Sequence, residues 1–295
     1  MEFHMTNPPN TPSSTETTNV KATQRGIAVG GDNEGVIVTG NRNTIVQGIA
    51  NFFTGDSDQQ IALRNRHTML QLVNNIWVKG ILEKSLYHEL LIELGMEQRT
   101  DATVVERPWD TIVQTPDQPN HPLPTGTKLV DVFDEFNHTL LILGAPGAGK
   151  TTMLLELARE TIARAEQDVT QPIPVVFNLS SWQDKQTIAA WLVVELNAKY
   201  NIPKKLASAW VERDELLLLL DGLDEVAAAQ REACVAAINQ FRSEHGLTQV
   251  VVCSRVADYD ALSVRLKLHG AIVLQPLTPA QIDGYLARVG DGLAA

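Results

Sequence analysis

The chain has 295 residues, 44% of them hydrophobic, and a net charge of −11 at pH 7. That length allows one large or two ordinary domains, and an acidic balance with no Lys/Arg block excludes general nucleic-acid binding. No apolar stretch reaches the roughly 20 residues that a membrane span needs, and the polar N-terminus has no apolar signal core. The two cysteines, Cys234 and Cys253, have no partner motif. They exclude a disulfide scaffold and a thiolate zinc site and fit a reducing cytoplasm.

Residues 1–25 are rich in Ser, Thr, Asn and Pro and read as a disordered tail, because they bury too little apolar surface to offset chain entropy. Residues 26–55 change character. Three short triplets, Ile27-Ala28-Val29, Val36-Ile37-Val38 and Thr44-Ile45-Val46, alternate with Gly/Asn-rich turns. They start 9 and 8 residues apart, a short β-repeat. Strands this short make a poor core alone. They fit a small meander, a Gly-rich linker, or a segment whose open edges stack on copies of itself.

Residues 56–128 form a helical lead-in and a Pro-rich connector. Ile61, Leu63, Met69, Leu70, Leu72, Val73, Ile76, Trp77, Ile81, Leu82 and Leu86 recur at helical spacing. Gly80 is expected to break two helices and Gly95 to stop the second. His67 and His88 have no ligand partners at useful spacing. Pro108, Pro116, Pro119, Pro122 and Pro124 predict an extended connector lying against the next domain. The acids of the following segment, Asp131, Asp134 and Glu135, read as a solvated helix face.

Chemistry enters at Thr139. The apolar strand Thr139-Leu140-Leu141-Ile142-Leu143 runs into Gly144-Ala145-Pro146-Gly147-Ala148-Gly149-Lys150-Thr151-Thr152, and a helix follows. This G-x-x-x-x-G-K-T pattern between strand and helix is a phosphate-binding loop. Its glycines let backbone N–H groups face phosphate oxygens at a positive helix end. Lys150 is placed to neutralise the β- and γ-phosphates, and the Thr151 hydroxyl to ligate Mg²⁺. Five leucines, 216–220, then deliver Asp221-Gly222-Leu223-Asp224-Glu225 to a strand's C-terminal edge, where open α/β sheets bind ligands. Asp221 is a metal acid. Asp224 or Glu225 is placed to orient the attacking water, and the spacing does not choose between them. A third strand ends in Ser254-Arg255, whose guanidinium can reach a γ-phosphate or serve a surface ion pair. With strands near 174–179 and 271–274 the expected fold is α/β, a three-layer P-loop NTPase with a five-stranded parallel sheet. Cys234, Cys253 and Trp191 read as packing.

In this order the motifs resemble a NACHT domain, the STAND class of signalling P-loop ATPases related to AAA+ proteins and to NOD-like receptors. The small Gly222 after Asp221, followed by the paired acids, carries most of that resemblance. Residues 77–109 also look like the lead-in of bacterial NACHT domains. The resemblance implies a core at 129–277 with sheet order 5-1-4-3-2, and ATP or ADP with Mg²⁺ as ligands. It implies Lys150 as the phosphate-loop lysine, Thr151 and Asp221 as metal ligands, Asp224 and Glu225 as the catalytic acidic pair, and Arg255 as the sensor arginine.

Residues 278–295 begin a helix, with Thr278 as cap and Pro279 at its first position, the expected start of a truncated helical subdomain. Two functions follow. One is a slow Mg²⁺-dependent ATPase whose nucleotide state controls self-association and an unidentified downstream effector. The other is a passive nucleotide-holding scaffold whose N-terminal β segment self-assembles, a segment that loosely resembles amyloid-templating motifs of such proteins.

Overall fold

The computed structural model describes residues 37–39, 44–46, 58–84, 96–98, 121–124 and 127–275. The expectations for residues 1–25, the triplet at 27–29, His88, Gly95, the prolines at 108, 116 and 119, and the helix at 278–295 lie outside the described residues. The chain divides into two compact units, Met1–Gly55 and Asp56–Ala295.

In the first unit β1 (Ile37–Thr39) pairs antiparallel with β2 (Thr44–Val46), with Val38 opposite Ile45. Both are rich in the β-branched residues that favour extended backbone.

The second unit begins with α1 (Asp58–Val73), which continues without a break into a π-helical stretch, Asn74–Leu82. Gly80 therefore does not separate two helices. The wider turn is visible in the bond from the Glu83 amide to the Val78 carbonyl, five residues back. The glycine suits it, since a Cβ there would lie 3.0 Å from the Asn75 carbonyl oxygen. Met69, Leu70, Val73, Val78 and Leu82 turn one face of this helix into the core.

The remaining elements build one sheet. After β3 (Met96–Gln98), β4 (His121–Pro122) and the short α2 (Leu129–Glu135) come β5 (Thr139–Gly144) and α3 (Lys150–Gln167). They are followed by β6 (Ile173–Asn178), α4 (Ile188–Tyr200), α5 (Lys204–Glu212) and β7 (Leu216–Asp221). The chain then adds α6 (Arg231–Glu244), β8 (Gln249–Arg255), α7 (Val256–Asp260) and β9 (Gly270–Leu274). The order across the sheet is β4-β3-β9-β5-β8-β7-β6. Its five parallel strands are β9-β5-β8-β7-β6, the expected 5-1-4-3-2 arrangement. The connector contributes more than a lead: β3 joins β9 antiparallel and β4 joins β3, so two short strands extend that edge.

Continuous apolar runs make this sheet. Leu140–Leu143 and Leu216–Leu220 are buried on both faces, as parallel strands between helical layers must be. The opposite edge strand, β6, contains Pro174, which has no N–H to give a ladder and is tolerated at an edge. That edge is closed by side chains. The Tyr200 hydroxyl donates to the Val176 carbonyl at 2.6 Å and accepts from Trp77 Nε1 at 2.8 Å. The lead-in helix is thereby fastened to the sheet, and Arg66 fastens it to the end of α3 by donating to the Ala165 carbonyl at 3.0 Å. In α2 the acids split: Val130, Val132 and Phe133 are buried, Asp131 is exposed, and Asp134 takes a two-pronged bond from Arg164.

Tyr200→Phe removes the hydroxyl but keeps the ring. It strips this partner from a carbonyl and from an indole N–H, and should lower stability by about 1–3 kcal/mol. Urea unfolding should show a lower midpoint at unchanged slope.

Candidate functional site

Four strands, β5, β8, β7 and β6, end side by side at one edge, and the last residues of three of them carry polar side chains. β5 ends at Gly144, whose cross-strand partner is Arg255 on β8; β7 ends at Asp221, whose partner on β6 is Asn178. From Gly144 the chain turns through Ala145, Pro146, Gly147 and Ala148 into α3. Gly147 and Gly149 have φ of 74° and 90°, backbone that side-chain-bearing residues rarely adopt. Left-handed glycines before a helix N-terminus are the backbone form in which a loop can turn N–H groups toward an anion. Lys150 folds back over the loop, its Nζ donating to the carbonyls of Gly144 at 3.1 Å and Ala145 at 3.0 Å. Thr152 follows in the first turn of α3 and is half-buried.

The neighbouring residue reaches across the edge. The Thr151 hydroxyl donates to Asp221 Oδ2 at 2.7 Å, joining the two loops. Burial pushes the Asp221 carboxyl above its ordinary range; the Thr151 bond pulls it down, and the charges of Glu225 and Asp224 push it up again. The pair has room in its electrostatics for a cation. A hydroxyl and a carboxylate beside a phosphate cradle fit Mg²⁺, which takes one or two protein ligands plus phosphate oxygens and water. Among the described residues no group of three or more His, Cys, Asp or Glu side chains forms a metal cage. Beneath Asp221 the buried Cys253 thiol is pushed well up by its burial and by that carboxylate, so it is inert packing.

The acidic turn separates its two carboxylates. Gly222 has φ 77°, and a Cβ on it would come within 3.0 Å of the Glu225 carboxylate, which explains the small residue at this position. Buried Leu223 then anchors a 3₁₀ turn, Leu223–Glu225. Asp224 turns inward, its side chain 7% exposed, and both oxygens bind Arg255: Oδ1 accepts the backbone N–H at 3.1 Å and Oδ2 pairs with Nε at 2.8 Å. Glu225 is exposed on the site side, where its Oε2 accepts from Asn178 Nδ2 at 2.9 Å. Arg255 keeps 47% of its side chain exposed beside the start of the phosphate loop.

All the residues expected from the sequence thus meet at one edge. Two were missed. Asn178 was legible as the polar end of an apolar strand, like Asp221. Arg231, which binds the acidic turn, has no local signal. An open cleft of about 540 Å³, lined by Asp134, His138 and Arg164 among others, lies at the opposite end of the strands. Its arginine is already committed to Asp134.

Residues 138–266 match the family model of the NACHT domain. The match spans the phosphate loop, the acidic turn and Arg255. It omits β9 and the lead-in helix. With the sheet and site just described, the match is consistent with a NACHT-type P-loop NTPase domain in this segment, and such a domain implies nucleotide binding in a signalling-type NTPase. The search against curated proteins returned no match. No helix of the described residues is long and apolar enough to cross a membrane.

Asp221→Asn should raise the melting temperature of the nucleotide-free protein at neutral pH by a few degrees. A carboxyl raised by folding holds its proton more tightly in the folded chain. Its contribution is complete below the unfolded value of about 3.9 and is lost as pH rises through the folded value. The gap between variant and parent should therefore widen over that interval, as thermal melts across pH would show. The variant should also lose any Mg²⁺-dependent part of nucleotide stabilisation.

Proposed function

We propose that the NACHT domain at residues 138–266 binds ATP and ADP with Mg²⁺, hydrolyses ATP slowly, and uses the bound nucleotide to control self-association in signalling. Bacterial defence or regulated cell death is the setting that its resemblance suggests, and the cytoplasm its compartment. The observation that carries this reading is the Thr151–Asp221 bond, which puts the phosphate loop and the acidic turn into one site.

In this site Lys150 exchanges the loop carbonyls for β- and γ-phosphate oxygens. Thr151 and Asp221 hold Mg²⁺. When bound, the ion neutralises charge between the phosphates. Glu225, exposed and aimed by Asn178, accepts a proton from the attacking water. Asp224 has both oxygens on Arg255, so its role is to aim that guanidinium towards the γ-phosphate. On this reading Glu225, not Asp224, is the acid that handles water.

A second reading is favoured by the β1–β2 pairing. A two-stranded ribbon is marginal alone, and each strand keeps an outer edge able to pair with another chain. On this reading residues 26–48 stack on copies of themselves and the NACHT domain only holds nucleotide. Deletion of that segment should then abolish large species in sedimentation while leaving nucleotide binding intact.

The first test is thermal. Nucleotide at 100 times its dissociation constant stabilises by about 2.7 kcal/mol, which at about 2–4 °C per kcal/mol is a rise of roughly 5–10 °C. ATP or ADP with Mg²⁺ should give that rise in the parent and none in Lys150→Ala. Glu225→Gln should keep the rise and lose ATP turnover. Absence of any rise in the parent would overturn the reading.

A further inference from the structure

We propose that Arg231 is a positioning residue that holds Glu225 at the site by clamping the backbone on both sides of it. The inference rests on the role proposed for Glu225 above.

Arg231 is the first residue of α6, six positions beyond Glu225. A cation there opposes the helix dipole, so helix stability does not explain it. Its tertiary bonds do. The side chain is 17% exposed and uses all three of its nitrogens. Nε donates to the Val226 carbonyl at 3.0 Å, Nη2 to the Asp224 carbonyl at 2.6 Å, and Nη1 to Asp258 Oδ1 at 2.6 Å. Asp224 and Val226 are the two neighbours of Glu225. With both carbonyls fixed, the Glu225 backbone moves only if the guanidinium moves.

Asp258 closes a circuit. It lies in α7, three residues after Arg255, and Arg255 holds the Asp224 carboxylate. The acidic turn is thus gripped through the Asp224 side chain from the end of β8 and through its backbone from α6. One charged pair, Arg231–Asp258, ties the two grips together. The planar fork is required for this. A lysine ammonium is a single point and cannot serve two carbonyls and a carboxylate on three separate nitrogens. Attachment of α6 itself does not need the arginine, because Glu232 accepts from both the amide and the hydroxyl of Ser263.

The experiment compares Arg231→Lys with the parent in the full chain, by ADP affinity, Mg²⁺-ATP turnover and amide hydrogen exchange. Misplacing a catalytic group by about 1 Å costs on the order of 100-fold, so turnover should fall about 10- to 100-fold at ADP affinity unchanged within about twofold. The amides of Glu225 and Val226, bonded to the Gly222 and Leu223 carbonyls, should exchange faster while those of α6 keep their protection. Unchanged exchange in the turn, loss of protection along all of α6, or ADP affinity falling in step with turnover would each overturn the proposal. If the parent binds nucleotide but does not turn it over, hydrolysis is refuted, and the exchange pattern alone still decides whether Arg231 positions the turn. If Arg231→Lys does not fold, Asp258→Asn is measured in the same way. Weaker protection confined to the turn supports the clamp, and none overturns it.

Discussion

The hydrogen bond between Thr151 and Asp221 joins residues 70 positions apart in the chain, and the site depends on it. It exists because β5 and β7 run parallel with β8 between them, so that their C-terminal ends finish at one edge. Antiparallel strands would send one of the two loops to the far side of the sheet. The parallel order follows from the helical crossovers, which bury both faces and need apolar strands. The leucine run before Asp221 is therefore part of the site's geometry, since it fixes where that carboxylate emerges.

Around that bond the edge is built from opposed charges. Asp221 is half-buried near Asp224 and Glu225, and like charges so placed raise the cost of ionisation. The structure limits this cost by dividing the acids. Asp224 faces inward onto Arg255, Glu225 faces outward onto Asn178, and Asp221 takes the Thr151 hydroxyl. One acid meets the phosphate loop, one faces solvent, and one is spent on holding an arginine. Gly222 makes the division possible, because only a left-handed turn directly after Asp221 brings Glu225 back over the edge.

The lead-in helix belongs to the same mechanical unit. Trp77 reaches the Tyr200 hydroxyl, and Tyr200 reaches the backbone of β6, the strand that ends in Asn178. Arg66 binds the C-terminal end of α3, the helix that begins with Lys150. At the other edge β3 and β4 continue the sheet past β9. Segments outside the matched domain thus brace both sides of the strands that carry the phosphate loop and Asn178.

The phosphate loop, the apolar strands and Asp221 were legible in the sequence, because each is a local pattern; the sheet order came only from the family resemblance, since no local pattern fixes which strands are neighbours. A loop of glycines and one lysine between strand and helix has few other uses, and five consecutive leucines have nowhere to go but a buried strand. The tertiary structure decided the rest. Asp224 and Glu225 are adjacent and chemically alike, and only the turn at Gly222 sends one to Arg255 and the other to Asn178. Gly80 looked like a break, and packing of the flanking residues carried the helix through it as a wider turn. The connector looked extended, and only the open edge of β9 made part of it a strand. Arg231 gave no local sign, since its three partners lie at positions 224, 226 and 258 and meet only when the sheet, the acidic turn and α7 are assembled. Local pattern determines which chemistry the chain carries; long-range contacts determine which side chain performs it.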